Sequence, residues 1–268
     1  MKFLIIRFSS IGDIVLTTPV VRCLKQQVGG AEVHYLTKYN FRGLIENNPY
    51  VDKLHVLKDD LQGLIKELKE ENFDYIIDLH HNVRTLKVKR GLKEVPAVSF
   101  NKLNIRKWLL TALKVNVMPA VHIVDRYLDT VKQFGALNDG LGLDYFIPQK
   151  DLVADHDIPA AQSLGYIAIV IGAAHNTKKL PIEKLKELCR NINHPIILLG
   201  GPEDKATGDQ VAAVDPIKIY NSAGKFNLNE SADLVRKAKV VITHDTGLMH
   251  IATAFKKPII SIWGNTVP

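Results

Sequence analysis

The residues able to do chemistry in this chain stand where apolar runs give way to polar turns. Ser9-Ser10-Ile11-Gly12-Asp13 follows the apolar run 2–8, and Asp13 reads either as the N-cap of the next helix or as a general base. A base that takes a proton from a hydroxyl needs hydrogen-bond reach and a somewhat raised pKa, which partial desolvation in a closing cleft would supply. The stretch 240–252 changes period in its middle: it is strand-like up to Thr243, and from Thr246 onward Leu248, Ile251, Ala252 and Phe255 fall at helical spacing. Asp245 stands to cap that helix, and Thr246 and Gly247 open its first turn. Free N–H groups and the positive end of the dipole make such a turn a phosphate seat, with plain capping as the competing reading.

Other strand ends offer weaker candidates. Residues 172–181 leave a strand and enter a helix, carrying Thr177, Lys178 and Lys179; one lysine holds a phosphate, or both are solvated. Gly200 and Gly201 allow positive φ or close approach of backbone to a ligand, while Glu203 and Asp204 suit a helix start. Asp78, His80 and His81 follow another strand, with Arg84 close behind. If the strand continues, the two histidines point to opposite sides and at most one faces a ligand, so a role in recognising an acceptor is the favoured reading. His244 and His250 do not form a familiar zinc spacing and no cysteine is near, so no metal is expected; His250 also reads as a packed histidine. The turn 9–13 lacks G-x-G-x-x-G, which argues against a dinucleotide.

The elements that position these residues alternate. Strands are predicted at 2–8, 31–36, 53–57, 73–79 and 95–100. Helices are predicted at 14–27, 41–47, 61–71, 84–92, 105–114 and 123–134. Pro19 bends the first helix or marks its true start, and Gly29-Gly30 ends it. Periodicity dissolves over 135–164, where Asn138-Asp139-Gly140, Pro148 and Pro159 give the composition of a linker. The pattern restarts with strands at 166–171, 195–199, 217–220, 240–243 and 258–263. Helices come at 181–192, with Pro181 suited to its first position, and at 203–214 and 229–237, before the one that follows Thr246. Strands separated by helices pair in parallel through right-handed crossovers. The fold expected is α/β: two Rossmann-like domains, 1–150 and 151–268, whose strand ends face a central cleft. A last strand followed only by 264–268 leaves a sheet flank uncovered, and a C-terminal segment is expected to be missing from the second domain.

Composition narrows the class. The 268 residues are 46% hydrophobic, enough for a sizeable core in each of two domains. No apolar run reaches the ~20 residues of a spanning helix, and 1–7 is too short for a signal peptide, so a cytoplasmic protein is expected. Cys23 and Cys189 sit singly in amphipathic helices and read as buried thiols. A net charge of +7 suits an anionic partner such as a nucleotide or a phosphorylated lipid head group. Nucleic acid is disfavoured, because the basic residues are scattered without an aromatic-rich stripe.

Residues 5–19, 177–181, 244–250 and 264–268, in this order over the whole chain, resemble glycosyltransferase family 9, the bacterial ADP-heptose:lipopolysaccharide heptosyltransferases. The resemblance implies a GT-B fold, an N-terminal acceptor domain, a C-terminal nucleotide-sugar domain, and a metal-independent inverting transfer without a cofactor. It makes Asp13 the general base and Lys178 the lysine on the donor phosphates, with Asp245, Thr246 and Gly247 as the diphosphate turn. Thr177, Gly200, Gly201, His250 and Glu230 join the donor side; Ser9, Ser10, Gly12, His80 and Arg84 form the acceptor side. Asn229 followed by Glu230 departs from the family, which places an acidic residue there for the donor ribose. The family also continues beyond the Gly-x-Thr-x-Pro turn. The implied partners are ADP-heptose or a similar nucleotide sugar and a phosphorylated lipid-linked saccharide, with peripheral contact at the cytoplasmic face of the inner membrane. Another GT-B transferase, a sugar-nucleotide epimerase, and a non-catalytic nucleotide-sugar binder are the alternatives.

Overall fold

The computed structural model of the chain describes residues 1–103, 115, 121–173 and 176–264. Two compact units divide it, Met1–Gly142 and Leu143–Pro268. The predicted helix at 105–114, His175 and the terminal residues 265–268 lie outside the described residues.

The first unit is built on β1 (Lys2–Ile6), whose Phe3, Leu4, Ile5 and Ile6 are all fully buried. A strand buried on both faces satisfies its backbone only through parallel neighbours covered by helices. Those neighbours are β2 (Glu32–Lys38) on one side and β4 (Tyr75–Asp78) on the other. With β3 (Lys53–Leu57) and β5 (Ala97–Ser99) they form an all-parallel sheet of order β3-β2-β1-β4-β5. The predicted first helix is two: α1 (Ile11–Val15) and α2 (Thr18–Gln27), with Pro19 in the first turn of α2. Proline thus marks a start, where its missing N–H costs nothing. After α2, Gly30 takes φ +67° and turns the chain back into β2. α3 (Leu61–Glu70) is capped by Asp60, which accepts from Gly63 N–H, and α4 (Val83–Gly91) by Asn82, which accepts from Thr85 N–H. The helix expected at 41–47 is a 3-10 turn at Tyr39–Leu44. The one expected at 123–134 is α5 (Ile123–Leu128) followed by a separate 3-10 turn.

The second unit repeats the plan. β6 (Ile167–Val170) lies between β7 (Ile196–Leu199) and β9 (Val240–His244); β8 (Ile219–Asn221) and β10 (Ile259–Ile262) flank them, in the order β10-β9-β6-β7-β8. Its helices are α6 (Ala160–Ser163), α7 (Ile182–Asn191), α8 (Lys205–Ala212), α9 (Leu228–Lys237) and α10 (Gly247–Ala254). Pro181 is the N-cap of α7, one position before the place expected for it. Cys23 and Cys189 are free and buried, as expected. Among the described residues no helix is long and apolar enough to cross a membrane.

The Asn138-Asp139-Gly140 stretch is no loose linker. Asp139 receives two hydrogen bonds from Arg22 of α2, at 2.7 and 2.8 Å, and the same guanidinium reaches Gly142 O at 2.8 Å. Arg22 is 1% exposed, so this pair clamps the end of the unit onto α2. Replacing Asp139 by Ala strands a buried guanidinium and should cost about 3–5 kcal/mol, read as a lower urea midpoint; the double replacement Arg22→Met with Asp139→Leu should recover most of it. Arg22 holds the Asp139 carboxyl down to about 2, below its ordinary 3.8. The stabilisation is therefore full above pH 3.8 and lost as pH falls through about 2.

Candidate active site

In each sheet the chain order reverses beside the central strand. β1 leads outward to β2 and β3, after which β4 returns to the other side of β1; β6, β7 and β8 are followed by β9 in the same way. The loops after β1 and β4, and those after β6 and β9, therefore flank the crevice where open α/β sheets bind ligands.

The first crevice is organised by Arg7, immediately beyond β1 and 7% exposed. Its Nε donates to Ser9 O (2.7 Å), Nη1 to Leu79 O (2.5 Å) and to the Tyr127 hydroxyl (3.0 Å), and Nη2 pairs with Asp13 Oδ2 at 2.7 Å. The N-cap of α1 is Ser10, not Asp13. Asp13 sits in the first turn and accepts on Oδ2 from Ser10 N–H (3.2 Å) and Ser10 Oγ (2.9 Å). All these contacts fall on Oδ2, which leaves Oδ1 as the face open to a hydroxyl. The expected rise in its pKa is not found. Burial pushes the Asp13 carboxyl up, but the Arg7 charge and the Ser10 hydrogen bonds outweigh it and hold the group below the usual carboxylate range. Asp13 is thus ionised at neutral pH and would act as a base through position rather than raised basicity.

The acceptor-side candidates divide. Ser10 is exposed and Ser9 partly so, whereas Gly12 is buried inside α1. β4 stops at Asp78, whose Oδ1 takes the N–H groups of His80 (3.1 Å) and His81 (2.7 Å) and whose Oδ2 pairs with Lys89 (2.8 Å). With His81 at φ +49° the strand does not continue, so the expected alternation of the two histidines fails. The His80 ring lies 5.7 Å from that of Phe8 and the Arg84 guanidinium 5.6 Å from the same ring. Burial, then the nearby Arg7 charge, pulls His80 down to about 4, leaving it neutral. A cavity of about 400 Å³ opens at the end of β5, lined by Ser99, Phe100, Asn101, Arg126 and Thr130 among others; no sequence pattern announced it.

In the second unit Thr246, not Asp245, is the N-cap of α10, and Gly247 is its first residue. Asp245 is engaged elsewhere: its Oδ2 lies 2.5 Å from Lys178 Nζ. Lys179 pairs with Asp204 at 2.7 Å, so neither lysine is merely solvated. Behind them the Leu180 N–H donates to His244 Nε2 at 2.8 Å, locking the 176–181 turn onto the end of β9. Burial lowers the His244 pKa, which keeps that nitrogen an acceptor. Thr177 is exposed and His250 half-buried in α10. Gly264 presses on the Thr177 carbonyl, which a Cβ there would meet at 2.5 Å.

Gly200 and Gly201 do not take positive φ. Their lack of side chains admits their own chain instead: a Cβ on Gly200 would meet Asp204 Cβ at 2.8 Å, one on Gly172 would meet Asp204 Oδ2 at 2.3 Å, and one on Gly201 would meet Glu203. Glu230 closes a capping box, its carboxylate accepting from Asn227 N–H at 2.6 Å. Asn229 is buried, donating to Asp151 Oδ2 and accepting from the Tyr145 hydroxyl. Among the described residues no metal-ligating group converges in either loop cluster; His34, His55 and Glu71 do so toward the other end of the first sheet.

A model of glycosyltransferase family 9 (heptosyltransferase) matches residues 61–268. The chain belongs to glycosyltransferase family 9. It is a glycosyl-transferring enzyme by that membership. The lipopolysaccharide heptosyltransferase 1 of Campylobacter coli is 26% identical over 99% of this chain and 84% of its own length. The solved E. coli ADP-heptose lps heptosyltransferase II superposes with a TM-score of 0.79 at 20% identity, covering 100% of this family 9 chain and 86% of that one. E. coli heptosyltransferase WaaC with ADP-2-deoxy-2-fluoro heptose gives 0.76 at 22% identity, covering 100% and 90%. These likenesses carry the fold, which is GT-B-like.

Arg7 is the residue that sequence reading passed over, and its signal was a lone cation at the end of an apolar strand. Arg7→Gln should raise the Asp13 carboxyl pKa while Arg7→Lys keeps it low, followed by carbon NMR of the labelled carboxyl across pH 2–7, a range of about five units around the ordinary carboxylate value.

Proposed function

We propose that this chain moves a heptose from ADP-heptose, or a related nucleotide-diphosphate sugar, to a phosphorylated lipid-linked inner-core saccharide, with inversion and without a metal or cofactor. The observation that carries the reading is the Lys178 ammonium held by Asp245 directly before the N-terminus of α10, in a family 9 chain. A lysine and a helix N-terminus together make a seat for a diphosphate. The Campylobacter coli lipopolysaccharide heptosyltransferase 1 supports a lipopolysaccharide acceptor, and the WaaC structure with ADP-2-deoxy-2-fluoro heptose supports the donor.

On this reading the first unit binds the acceptor and the second the nucleotide sugar. An acceptor hydroxyl gives its proton to Asp13 Oδ1 as its oxygen attacks the anomeric carbon from the face opposite the diphosphate. The carbon–oxygen bond to the diphosphate breaks, and its electron pair leaves on the diphosphate oxygen. Lys178 exchanges Asp245 for the phosphates, and with the first-turn N–H groups of α10 it takes up the charge that develops there. Thr177, Thr246, Gly247, His250 and Glu230 complete the donor side on this reading, while Gly200 and Gly201 give room to Asp204 and Glu203 beside it. Ser9, Ser10, His80 and Arg84 complete the acceptor side, with Gly12 buried in α1 behind them. A chain of net charge +7 working on a lipid-linked anion would act in the cytoplasm, drawn to the inner leaflet by charge.

Transfer assays with ADP-heptose and inner-core lipid acceptor test this directly. Asp13→Asn should remove turnover yet leave the thermal shift given by ADP intact, and Lys178→Met should lower the rate by about 10² to 10³. In EDTA, ADP should raise Tm where UDP, GDP and NAD do not. A shift with UDP or GDP instead would keep the fold and change the donor. Binding to anionic vesicles at low salt, absent with neutral ones, is expected of the membrane contact.

A further inference from the structure

His34 of β2 and His55 of β3 lie on the sheet face that α3 covers, and both are nearly inaccessible, at 1% and 6%. Register explains the meeting. His55 pairs with Leu36, two residues beyond His34 on the same face, so the two rings are diagonal neighbours. Their centroids are 5.1 Å apart, Phe73 packs edge-on against each, and His34 Nδ1 is 2.9 Å from His55 Nε2. Glu71, one residue past α3, brings Oε2 to 3.9 Å from the same His34 nitrogen. The three donor atoms lie within 4.8 Å of one another. An ion with bonds of about 2.1 Å holds its ligand atoms about 3.4 Å apart in a tetrahedron, so small side-chain movements bring all three to bonding distance.

The other ring nitrogen decides which way His34 faces. Its Nε2 is 2.8 Å from Glu32 Oε1, so it carries the proton and leaves the Nδ1 lone pair aimed at His55 and Glu71. A carboxylate behind a histidine in this way is the usual support of a ligating imidazole. With Nδ1 of His34 an acceptor, His55 Nε2 now donates a proton to it; a cation would replace that proton.

We propose that His34 Nδ1, His55 Nε2 and Glu71 Oε2 form a structural site for one divalent first-row transition ion, zinc foremost. Two imidazoles and a carboxylate suit that class, and calcium or magnesium would demand oxygen ligands. Seated there, the ion would clip β2, β3 and the end of α3 together, remote from the loops that carry Asp13. Lys53 and Lys2 compete for it: Lys53 pairs with Glu71 Oε1, and Lys2 lies 3.7 Å from Oε2 and 3.1 Å from Glu32. Lys53 is 56% exposed and free to swing into solvent.

The test is titration of the chelator-stripped, buffer-exchanged chain with Co²⁺ and then Zn²⁺. One equivalent of Co²⁺ per chain should give visible d–d absorption, bleached by one equivalent of Zn²⁺, and Zn²⁺ should raise Tm by several degrees. Glu32→Gln should weaken binding by about 10–100-fold, and Glu71→Gln by more. Lys53→Gln should tighten it, an effect that mere damage to folding would not produce. If His34→Gln or His55→Gln fails to fold, the half-buried Glu71→Gln, matched to the parent in Tm without metal, decides the matter. No absorption and no Tm rise at about 100 µM metal, a level at which even micromolar affinity saturates, overturns the proposal. So does binding that Glu71→Gln leaves unchanged.

Discussion

A strand buried on both faces has nowhere to satisfy its backbone except in strands beside it, and each unit of this chain is built around one such strand. β1 and β6 each carry apolar side chains to both faces, so helices must cover both faces of the sheet. Right-handed crossovers then lay neighbours down on one side until the chain returns to fill the other. That return opens a crevice beside the central strand, and in both units the polar turn after the central strand meets the turn after the returning one.

What gathers in the crevices is charge that is balanced locally. Arg7 alone joins the turn after β1, the turn after β4, the Tyr127 hydroxyl and the Asp13 carboxylate. In the second unit Lys178 with Asp245 and Lys179 with Asp204 do the equivalent work between strand ends. A partly buried ion survives only when paired, and pairing has a chemical result. It holds Asp13 ionised, and it parks the Lys178 ammonium beside a helix N-terminus.

Much of this was legible in residue order. The period change inside 240–252, the apolar run 2–8 and Pro19 as a bend or a helix start each had a local cause, because hydrophobic period and capping act over a few residues. The misreadings were of partners. Asp245 reads as an N-cap or part of a phosphate turn and Asp13 as an N-cap or a base, since an Asp at a strand-to-helix turn satisfies the capping rule by itself. Neither is the cap, and each pairs with a cation, Asp13 with Arg7 across its own turn and Asp245 with Lys178 67 residues away. Gly200 and Gly201 looked like a ligand cradle, yet the atoms they admit belong to Asp204 and Glu203. Asp139 looked like linker because Asn-Asp-Gly is turn composition, while its anchor, Arg22, lies 117 residues earlier.

The order of strands and helices, the α/β class, the family, and the positions of the turns that carry Asp13, Lys178 and Asp245 followed from the sequence by itself, because each rests on short-range periodicity or on contiguous motifs. Which side chains face one another was decided only by the tertiary structure. Arg7 with Leu79 and Tyr127, Lys178 with Asp245, and His34 with His55 and Glu71 meet through strand order and register. Those depend on how the whole apolar surface is buried at once, a quantity that no local window contains.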